Sequence, residues 1–187
     1  MPFTPFHIVF IWPILRKLRC DKIFLIAGSM IPDLEIPIMY VAGFQITRGI
    51  AHSIIGGFTI DPLIAILVGR LIYMSGNLKR VLGINDYPCS RWFNIWMISS
   101  SGALTHVSID YLHHSYNPIL WPIMLEYYEG PLAYLIGYGF ATFTIHAISI
   151  ILLVSILVYS SYRLGINFRK LLASPKILYR VLAEPGF

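Results

Sequence analysis

Charged residues are scarce in this chain. Of its 187 residues, only 12% are Asp, Glu, Lys or Arg, whereas 57% are hydrophobic. Soluble domains carry about 25% charged residues, and few soluble folds bury so large an apolar fraction. The composition therefore argues against an ordinary soluble domain and predicts an integral membrane protein.

Cysteine is scarce as well, since the chain contains only Cys20 and Cys89. They form no CxxC pair, so we do not expect a cysteine-based zinc site. Both lie beside basic residues, on the side of the membrane that is assigned below to the cytoplasm, so we expect reduced thiols rather than a disulfide. The N-terminal sequence also lacks a basic n-region and a small-residue cleavage site, so we do not interpret it as a cleaved signal peptide.

Apolar runs dominate the rest of the chain, and a transmembrane helix needs about 20 mostly apolar residues. We predict an all-α, polytopic membrane helix bundle of about five apolar helices, four to five of them spanning. Pro32 predicts a kink in the second run, because proline removes a backbone donor. Asp61 followed by Pro62 predicts an N-cap and a new helix inside the third run. The five runs lie at 3–15, 23–41, 50–74, 92–112 and 132–159.

The basic residues are distributed asymmetrically. They fall at 16–22, at 79–91 and in the tail from 163, whereas the loop 113–130 contains Glu126 and Glu129 but no Lys or Arg. Only Arg48 falls in an outer loop. The positive-inside rule then predicts a multi-pass protein of the cell membrane with its N-terminus outside and its C-terminal tail in the cytoplasm.

The orientation also explains the formal charge of +5, so we expect no nucleic-acid partner. The sequence shows no repeat or linker, and we predict one integral-membrane domain over residues 1–187. Its motif-bearing part would cover 1–122, its last transmembrane helix 130–160, and its basic cytoplasmic tail 163–187. The sequence does not indicate an oligomeric state.

Ionisable residues interrupt the apolar runs, and each costs at least a few kcal/mol in a bilayer, so they mark candidate functional sites. His106 and Asp110 are four residues apart and share one helix face, which His113 and His114 continue. Counted from the basic loops at about 1.5 Å per residue, His7, Asp33 and His106 all reach the middle to outer part of the bilayer. His52 starts the third run from the outer side and so approaches the same depth.

Imidazole and carboxylate groups suit divalent metals. We therefore predict a metal site with Asp33, His52, His106 and Asp110 as ligands, zinc being the first choice and manganese or iron the alternatives. Structural interpretations fit other residues better: Asp61 as a helix cap, His146 as an interhelical hydrogen-bond partner, and Glu126 and Glu129 as solvated loop charges. The roles of Glu35 and His113 stay open.

The order of four short motifs is characteristic of a known group of proteins. The motifs are MPFTPFH at 1–7, GSMIPDLE at 28–35, RGIAHSIIGG at 48–57 and GALTHVSIDYLHH at 102–114. In this order they resemble a prokaryotic integral-membrane family of unknown function, similar to the LexA-regulated, membrane-bound, predicted metal-dependent hydrolases. The resemblance extends through about Pro122, and beyond it only a hydrophobic segment and a basic tail match.

The resemblance implies that the Asp of the PD motif, the His of the HS motif, and the His and Asp of the fourth segment are metal ligands. These map to Asp33, His52, His106 and Asp110, and the N-terminal and later His residues of the family map to His7 and His114. Relatives often have PDxD, whereas Glu35 stands at the last position of that motif here.

Together these features predict a membrane-embedded metal-dependent hydrolase that acts on a membrane lipid or a lipid-linked phosphoester near the outer leaflet. His7 and His114 would complete the site or act as catalytic acid or base. Two alternatives stay open. Buried His and Asp residues with broken helices also suit an ion- or proton-coupled transporter, and a structural polar network would suit a non-enzymatic membrane scaffold.

Overall fold

The computed structural model describes residues 4–45, 47–85 and 87–183, and within these ranges the chain is helical without β-strands. The all-α prediction is therefore confirmed for the described residues. Short 3-10 helices cover Thr4–His7, Pro32–Leu34 and Ile50–His52. The α-helices are α1 (Ile8–Lys17), α2 (Lys22–Met30), α3 (Glu35–Val41), α4 (Ile54–Phe58), α5 (Ile60–Met74), α6 (Gly76–Leu82), α7 (Trp92–His113), α8 (Pro131–Ile136), α9 (Tyr138–Leu164), α10 (Phe168–Ala173) and α11 (Pro175–Ala183).

Helices α2 and α7 form the centre of the fold and run in the same direction. Their packing is close because a glycine stands at each point of contact: a Cβ at Gly28 would collide with the Ser99 carbonyl, and one at Gly102 would collide with the Leu25 carbonyl. Helix α5 covers this pair, and its Ile66 joins a buried apolar cluster with residues of α2 and α7. The glycines thus allow the two helices to approach closely, which brings the side chains at their C-terminal ends together.

The predicted helix breaks are present. Helix α2 ends at Met30, and Pro32 starts a 3-10 turn that leads into α3. The break predicted inside the third run lies between α4 and α5. A break that was not predicted from the sequence lies at Gly137, whose φ of 81° separates α8 from α9. The prediction for Asp61 is wrong in detail, because α5 begins at Ile60 and Asp61 lies in its first turn rather than at the N-cap.

Two helical stretches are long and apolar enough to cross a membrane. They are Lys22–Val41, with 20 residues and a mean hydropathy of 1.4, and Tyr138–Leu164, with 27 residues and a mean hydropathy of 2.4. The bundle with four to five spans is not confirmed. Helix α1 has only 10 residues and α5 only 15. Helix α7 is continuous, but its apolar sequence contains serines, His106 and Asp110.

Helix α9 leaves its apolar side chains on the surface. Phe140 is 64% exposed, Phe143 68% and Ile151 64%. Continuous apolar surface of this kind marks contact with a membrane or a partner. The exposure pattern therefore agrees with membrane association of this helix.

The segment predicted as a basic cytoplasmic tail is folded through residue 183. It forms α10 and α11, and Leu171, Val181 and Leu182 are buried together with Val9 of α1 and Ile156 of α9. The helices form because the segment alternates basic and apolar residues with helical spacing, so that one face is apolar. This part of the chain closes the end of the bundle that is opposite the predicted site.

Candidate metal centre

Asp110 lies at the centre of the predicted site. It projects from the last turns of α7, is 2% exposed, and has imidazole groups from several elements around its carboxylate. His7 arrives from the first 3-10 turn, His52 from the turn before α4, and His106 and His114 from α7 and its C-cap. The structure thus brings residues that are distant in sequence around one carboxylate.

The two oxygens of Asp110 face different histidines. Its Oδ2 lies 3.6 Å from His106 Nε2 and 3.8 Å from His52 Nε2. Its Oδ1 lies 3.8 Å from both His7 Nε2 and His114 Nε2. Asp33 completes the first side, with its Oδ1 3.5 Å from His106 Nε2. All six predicted site residues therefore meet at one place.

These separations suit ligands around a shared cation better than direct hydrogen bonds. Hydrogen bonds between nitrogen and oxygen are about 2.7–3.2 Å long, which is shorter than each separation given above. Bonds of about 2.0–2.2 Å to a tetrahedral zinc ion would place neighbouring ligand atoms roughly 3.3–3.6 Å apart. The observed spacing is close to that range.

The described residues contain two His/Asp groups whose ligand atoms are close enough together to hold a metal ion. Both groups include Asp110. The first comprises Asp33, His52, His106 and Asp110, and the second comprises Asp110, His113 and His114.

The Nδ1 atoms of the central histidines have fixed partners. His106 donates Nδ1–H to the Ser29 carbonyl at 2.8 Å, and His52 Nδ1 lies 2.9 Å from Glu35 Oε2. A neutral imidazole that donates through Nδ1 presents a lone pair at Nε2. This outer contact to a carbonyl or carboxylate is the arrangement that orients metal-binding histidines.

Glu35 is anchored as well as being a partner of His52. Its Oε2 accepts the Gly49 N–H at 2.9 Å, and its Oε1 accepts the Ala51 N–H at 3.3 Å. The carboxylate therefore ties α3 to the turn that carries His52. The role of Glu35 was open from sequence, and the structure places its carboxylate against the Nδ1 side of His52, away from the centre.

The Nε2 atoms that face the centre have no hydrogen-bond partner in the described part of the chain. This holds for His7, His52, His106, His113 and His114. Buried polar atoms are normally paired, so a set of unpaired ring nitrogens around one carboxylate is unusual. The residues present fit a divalent metal: the donor set is imidazole and carboxylate, and the free nitrogens converge.

His114 is held at the border between the centre and the following loop. Its carbonyl accepts the Gly130 N–H at 2.8 Å and the Asn117 side-chain N–H at 2.7 Å. Burial lowers the pKa of His114 to about 2, and the nearby Arg48 guanidinium lowers it further. The ring is therefore neutral at pH 7, which is the state that binds metal.

A cavity of about 530 Å³ opens beside the centre and is lined by Arg48, His114 and Tyr138 among others. A second cavity, of about 390 Å³, is lined by Arg48, Trp121 and Tyr127 among others. Both reach the same arginine. The site therefore has room for a ligand on the side of His114 and the loop 115–130.

Outside the centre, the other residues singled out from sequence have mixed outcomes. His146 belongs to neither His/Asp group. Its Nδ1–H is donated to the Thr142 carbonyl of its own helix at 2.6 Å, and the interhelical bond stays a prediction. Asp61 is fully buried, and neither carboxylate oxygen has a hydrogen-bond partner within the described ranges.

The prediction of reduced thiols is wrong. Cys20 and Cys89 form a disulfide, with their Cα atoms 6.1 Å apart, that joins the chain just before α2 to the chain just before α7. Because both sulfurs are bonded, this end of the helix pair offers no thiolate to a metal.

A family model described as a domain of unknown function, DUF4184, matches residues 1–167. The chain belongs to this family. No curated protein and no solved structure matches the chain. The description of the DUF4184 family includes no activity, so the geometry of the site carries the functional proposal below.

Arg48 is the residue of this DUF4184 site that the sequence did not identify. Its Nη2 lies 2.7 Å from Asp110 Oδ2, and both side chains are buried. The sequence placed Arg48 in an outer loop as the only basic residue on that side. That isolation was the available signal, since an arginine that opposes the charge asymmetry needs a local reason to be there.

Proposed function

We propose that this protein is a membrane-embedded, metal-dependent hydrolase that acts on a lipid or lipid-linked phosphoester. The observation that carries the proposal is the convergence of unpaired histidine nitrogens on Asp110. His52, His106 and His114 each present Nε2 toward that carboxylate at 3.6–3.8 Å without another partner in the described chain. Such an arrangement is stabilised by a cation at its centre.

In this proposal Asp33, His52, His106 and Asp110 hold a divalent ion, with zinc as the first choice and manganese or iron as alternatives. When bound, the metal would polarise a phosphoryl or carbonyl oxygen and lower the pKa of bound water toward about 7. Since Asp110 belongs to both candidate groups, the proposal covers one or two ions per chain.

His7 and His114 are proposed to move protons or to complete the ligand set. Both present Nε2 to Asp110 Oδ1 at 3.8 Å, and His114 also lines the larger cavity. A neutral ring at the cavity wall can bind a metal through Nε2. Proton transfer at this ring would depend on Asp110, whose carboxylate favours the imidazolium and acts against the lowering of the pKa by burial. His7 stacks on His106 with ring centroids 3.8 Å apart, which fixes its orientation.

The choice of a lipid substrate is supported by the surroundings of the site. The loop that follows His114 exposes large apolar side chains, with Ile123 78% and Leu125 73% exposed. Exposed apolar residues beside a polar pocket suit contact with a lipid surface. The motif resemblance to membrane-bound, predicted metal-dependent hydrolases supports the reaction class.

For the membrane arrangement, the proposal is a multi-pass protein with the N-terminus outside and the C-terminal segment in the cytoplasm. The asymmetric basic residues support it. The disulfide lies at the end that this orientation places in the cytoplasm, where disulfides are rare. Labelling of Cys20 and Cys89 with a membrane-impermeant thiol reagent after reduction, in intact cells and in lysed cells, tests the orientation.

The reaction is tested with the full chain in detergent or lipid nanodiscs. A panel of phosphatidate, phosphatidylcholine and an isoprenoid phosphate is incubated with the protein, and released phosphate or headgroup is quantified. We expect turnover of at least one phosphoester that stops on chelation, returns with zinc or manganese, and is lost in Asp33→Asn.

His146→Ala is the matched control, because His146 is a histidine of α9 that belongs to neither His/Asp group. Absence of turnover for every phosphoester, combined with ion flux in proteoliposomes that depends on Asp33 or Asp110, would contradict the hydrolase and favour a transporter. Alanine variants of His106 and Asp110 that are less stable but unchanged in metal content and activity would favour a structural network.

A further inference from the structure

Arg48 carries a buried positive charge that is only half satisfied. Its side chain is 7% exposed, and Nη2 donates to Asp110 Oδ2 at 2.7 Å. The other terminal nitrogen, Nη1, is buried and has no hydrogen-bond partner in the part of the chain that the structure describes. A guanidinium is a planar fork of several donors, and it normally uses them together on one carboxylate or phosphate.

The guanidinium belongs to a residue that lines the space beside the centre. Arg48 lines both cavities beside the centre, as does the neutral side chain of Gln45. One cavity is bordered by His114 and Tyr138. The other has apolar and aromatic walls from Phe44, Trp121 and others. An arginine that lines both cavities can contact a ligand that occupies the cavity beside His114 and extends into the one beside Trp121.

The carboxylates around the centre disfavour an anionic ligand unless positive charge offsets them. Asp33, Glu35 and Asp110 bring three carboxylates into a small volume, and an anion would be repelled by them. In the described part of the chain, Arg48 contacts this group directly, through Asp110. Its charge offsets the carboxylates on the side from which a ligand enters.

We infer that Arg48 is the anion-binding residue of this site and recognises the phosphoryl group of the ligand, with Nη1 as the donor that binds it. This inference rests on the proposed function for the identity of the neighbouring metal ligands, but the binding step requires no reaction. The shared chemistry is a phosphate group, which can come from a lipid headgroup or from free phosphate. The apolar wall of the second cavity favours a lipid as the source, because its hydrocarbon part can lie against that wall.

The test uses the full chain purified in detergent, with Arg48→Gln, Arg48→Lys and Arg70→Gln. Arg70 is an exposed arginine on α5 that stacks on Trp92, so its replacement matches the loss of charge away from the site. The probes are inorganic phosphate and dihexanoyl phosphatidate, and binding is measured by calorimetry. Metal content and thermal unfolding are measured on the same samples.

We expect Arg48→Gln to weaken phosphate binding by roughly 10- to 100-fold, as expected for the loss of a charge-assisted hydrogen bond. Arg48→Lys should keep part of the affinity because it keeps the charge but loses the fork. Metal content should stay the same or rise in Arg48→Gln, since a cation next to Asp110 has been removed. Arg70→Gln should bind like the wild type.

Tighter binding of phosphatidate than of inorganic phosphate, with both dependent on Arg48, would identify a lipid headgroup as the source. Equal binding would identify the phosphate group alone. Wild-type affinity in a folded Arg48→Gln or Arg48→Lys protein, or no phosphate binding by the wild type, would overturn the inference.

The two proposals fail in different ways. Metal-free wild type that still binds phosphate through Arg48 would contradict the hydrolase and leave the anion site standing. Metal-loaded protein that binds phosphate equally well with and without Arg48 would contradict the anion site and leave the hydrolase standing.

Discussion

The two ends of the α2–α7 pair both carry residue types that bind metals, but their polar atoms are satisfied very differently. At the end where both helices begin, Asp21 accepts N–H groups from Cys89 and Ser90 at 3.0 Å each, and the two cysteines are bonded to each other. At the end where both helices finish, histidine nitrogens face Asp110 without partners in the described chain.

The contrast separates a structural cluster from a binding site. In the first cluster every ligand-type atom has found a partner within the protein, so nothing further is required for stability. In the second cluster the protein has fixed the Nδ1 side of the rings and left the Nε2 side open. Residue type alone does not distinguish the two, whereas the hydrogen-bond pattern does.

The largest expected effect is at Asp110, which belongs to both His/Asp groups. Asp110→Asn keeps the shape but removes the charge, and we expect metal affinity to fall by more than about 100-fold, because even outer partners of metal ligands are worth about 10- to 100-fold. The measurement is metal content after dialysis against buffered zinc.

Asp21→Asn is the matched change at the other end of the helix pair. It should weaken the hydrogen bonds that the side chain accepts from two backbone N–H groups and lower the free energy of unfolding by about 1–3 kcal/mol. Metal content should stay at the wild-type level. A loss of metal in Asp21→Asn, or full metal in Asp110→Asn, would remove the distinction between the two ends.

The disulfide should contribute stability without contributing to the metal site. It closes a loop with a sequence separation of 69, and replacing both Cys20 and Cys89 by serine should cost about 2–4 kcal/mol. Thermal unfolding in detergent measures this, and reduction of the wild type should produce a similar decrease. Unchanged stability would show that this cluster is not the structural element that the contrast requires.

A smaller effect is expected at Glu35, which orients His52 from behind. Glu35→Gln keeps the size and a hydrogen-bond acceptor but removes the charge that favours Nδ1–H. We expect metal affinity to fall by about 10- to 100-fold with little change in folding. A competition titration against a zinc chelator measures the change, and an affinity equal to that of the wild type would show that His52 needs no such support.

Much of the candidate site could be predicted from sequence, because helical spacing and depth in the membrane are local quantities. His106 and Asp110 share a face at a spacing of four, and Asp33 follows a proline break at a similar depth. These arguments placed the residues correctly beside one another. Their roles as ligands stay predictions.

Other features depended on contacts between distant segments, which the sequence does not contain. The salt bridge from Arg48 to Asp110 crosses 62 residues, and Arg48 looked like an ordinary loop charge. The disulfide was not predicted because the basic residues beside both cysteines assigned them to the cytoplasmic side, where thiols are normally reduced. The predicted count of four to five spans is not confirmed, and α7 carries polar residues that face the site. The packing of the C-terminal basic segment into the core was not predicted.

The most direct test of the central claim is elemental analysis of the full chain purified without chelators, with His106→Ala and His146→Ala beside the wild type. We predict about one or two divalent ions per chain in the wild type, the same in His146→Ala, and a loss of metal in a folded His106→Ala protein. A wild type without divalent metal, or a folded His106→Ala protein that retains all of it, would contradict the account.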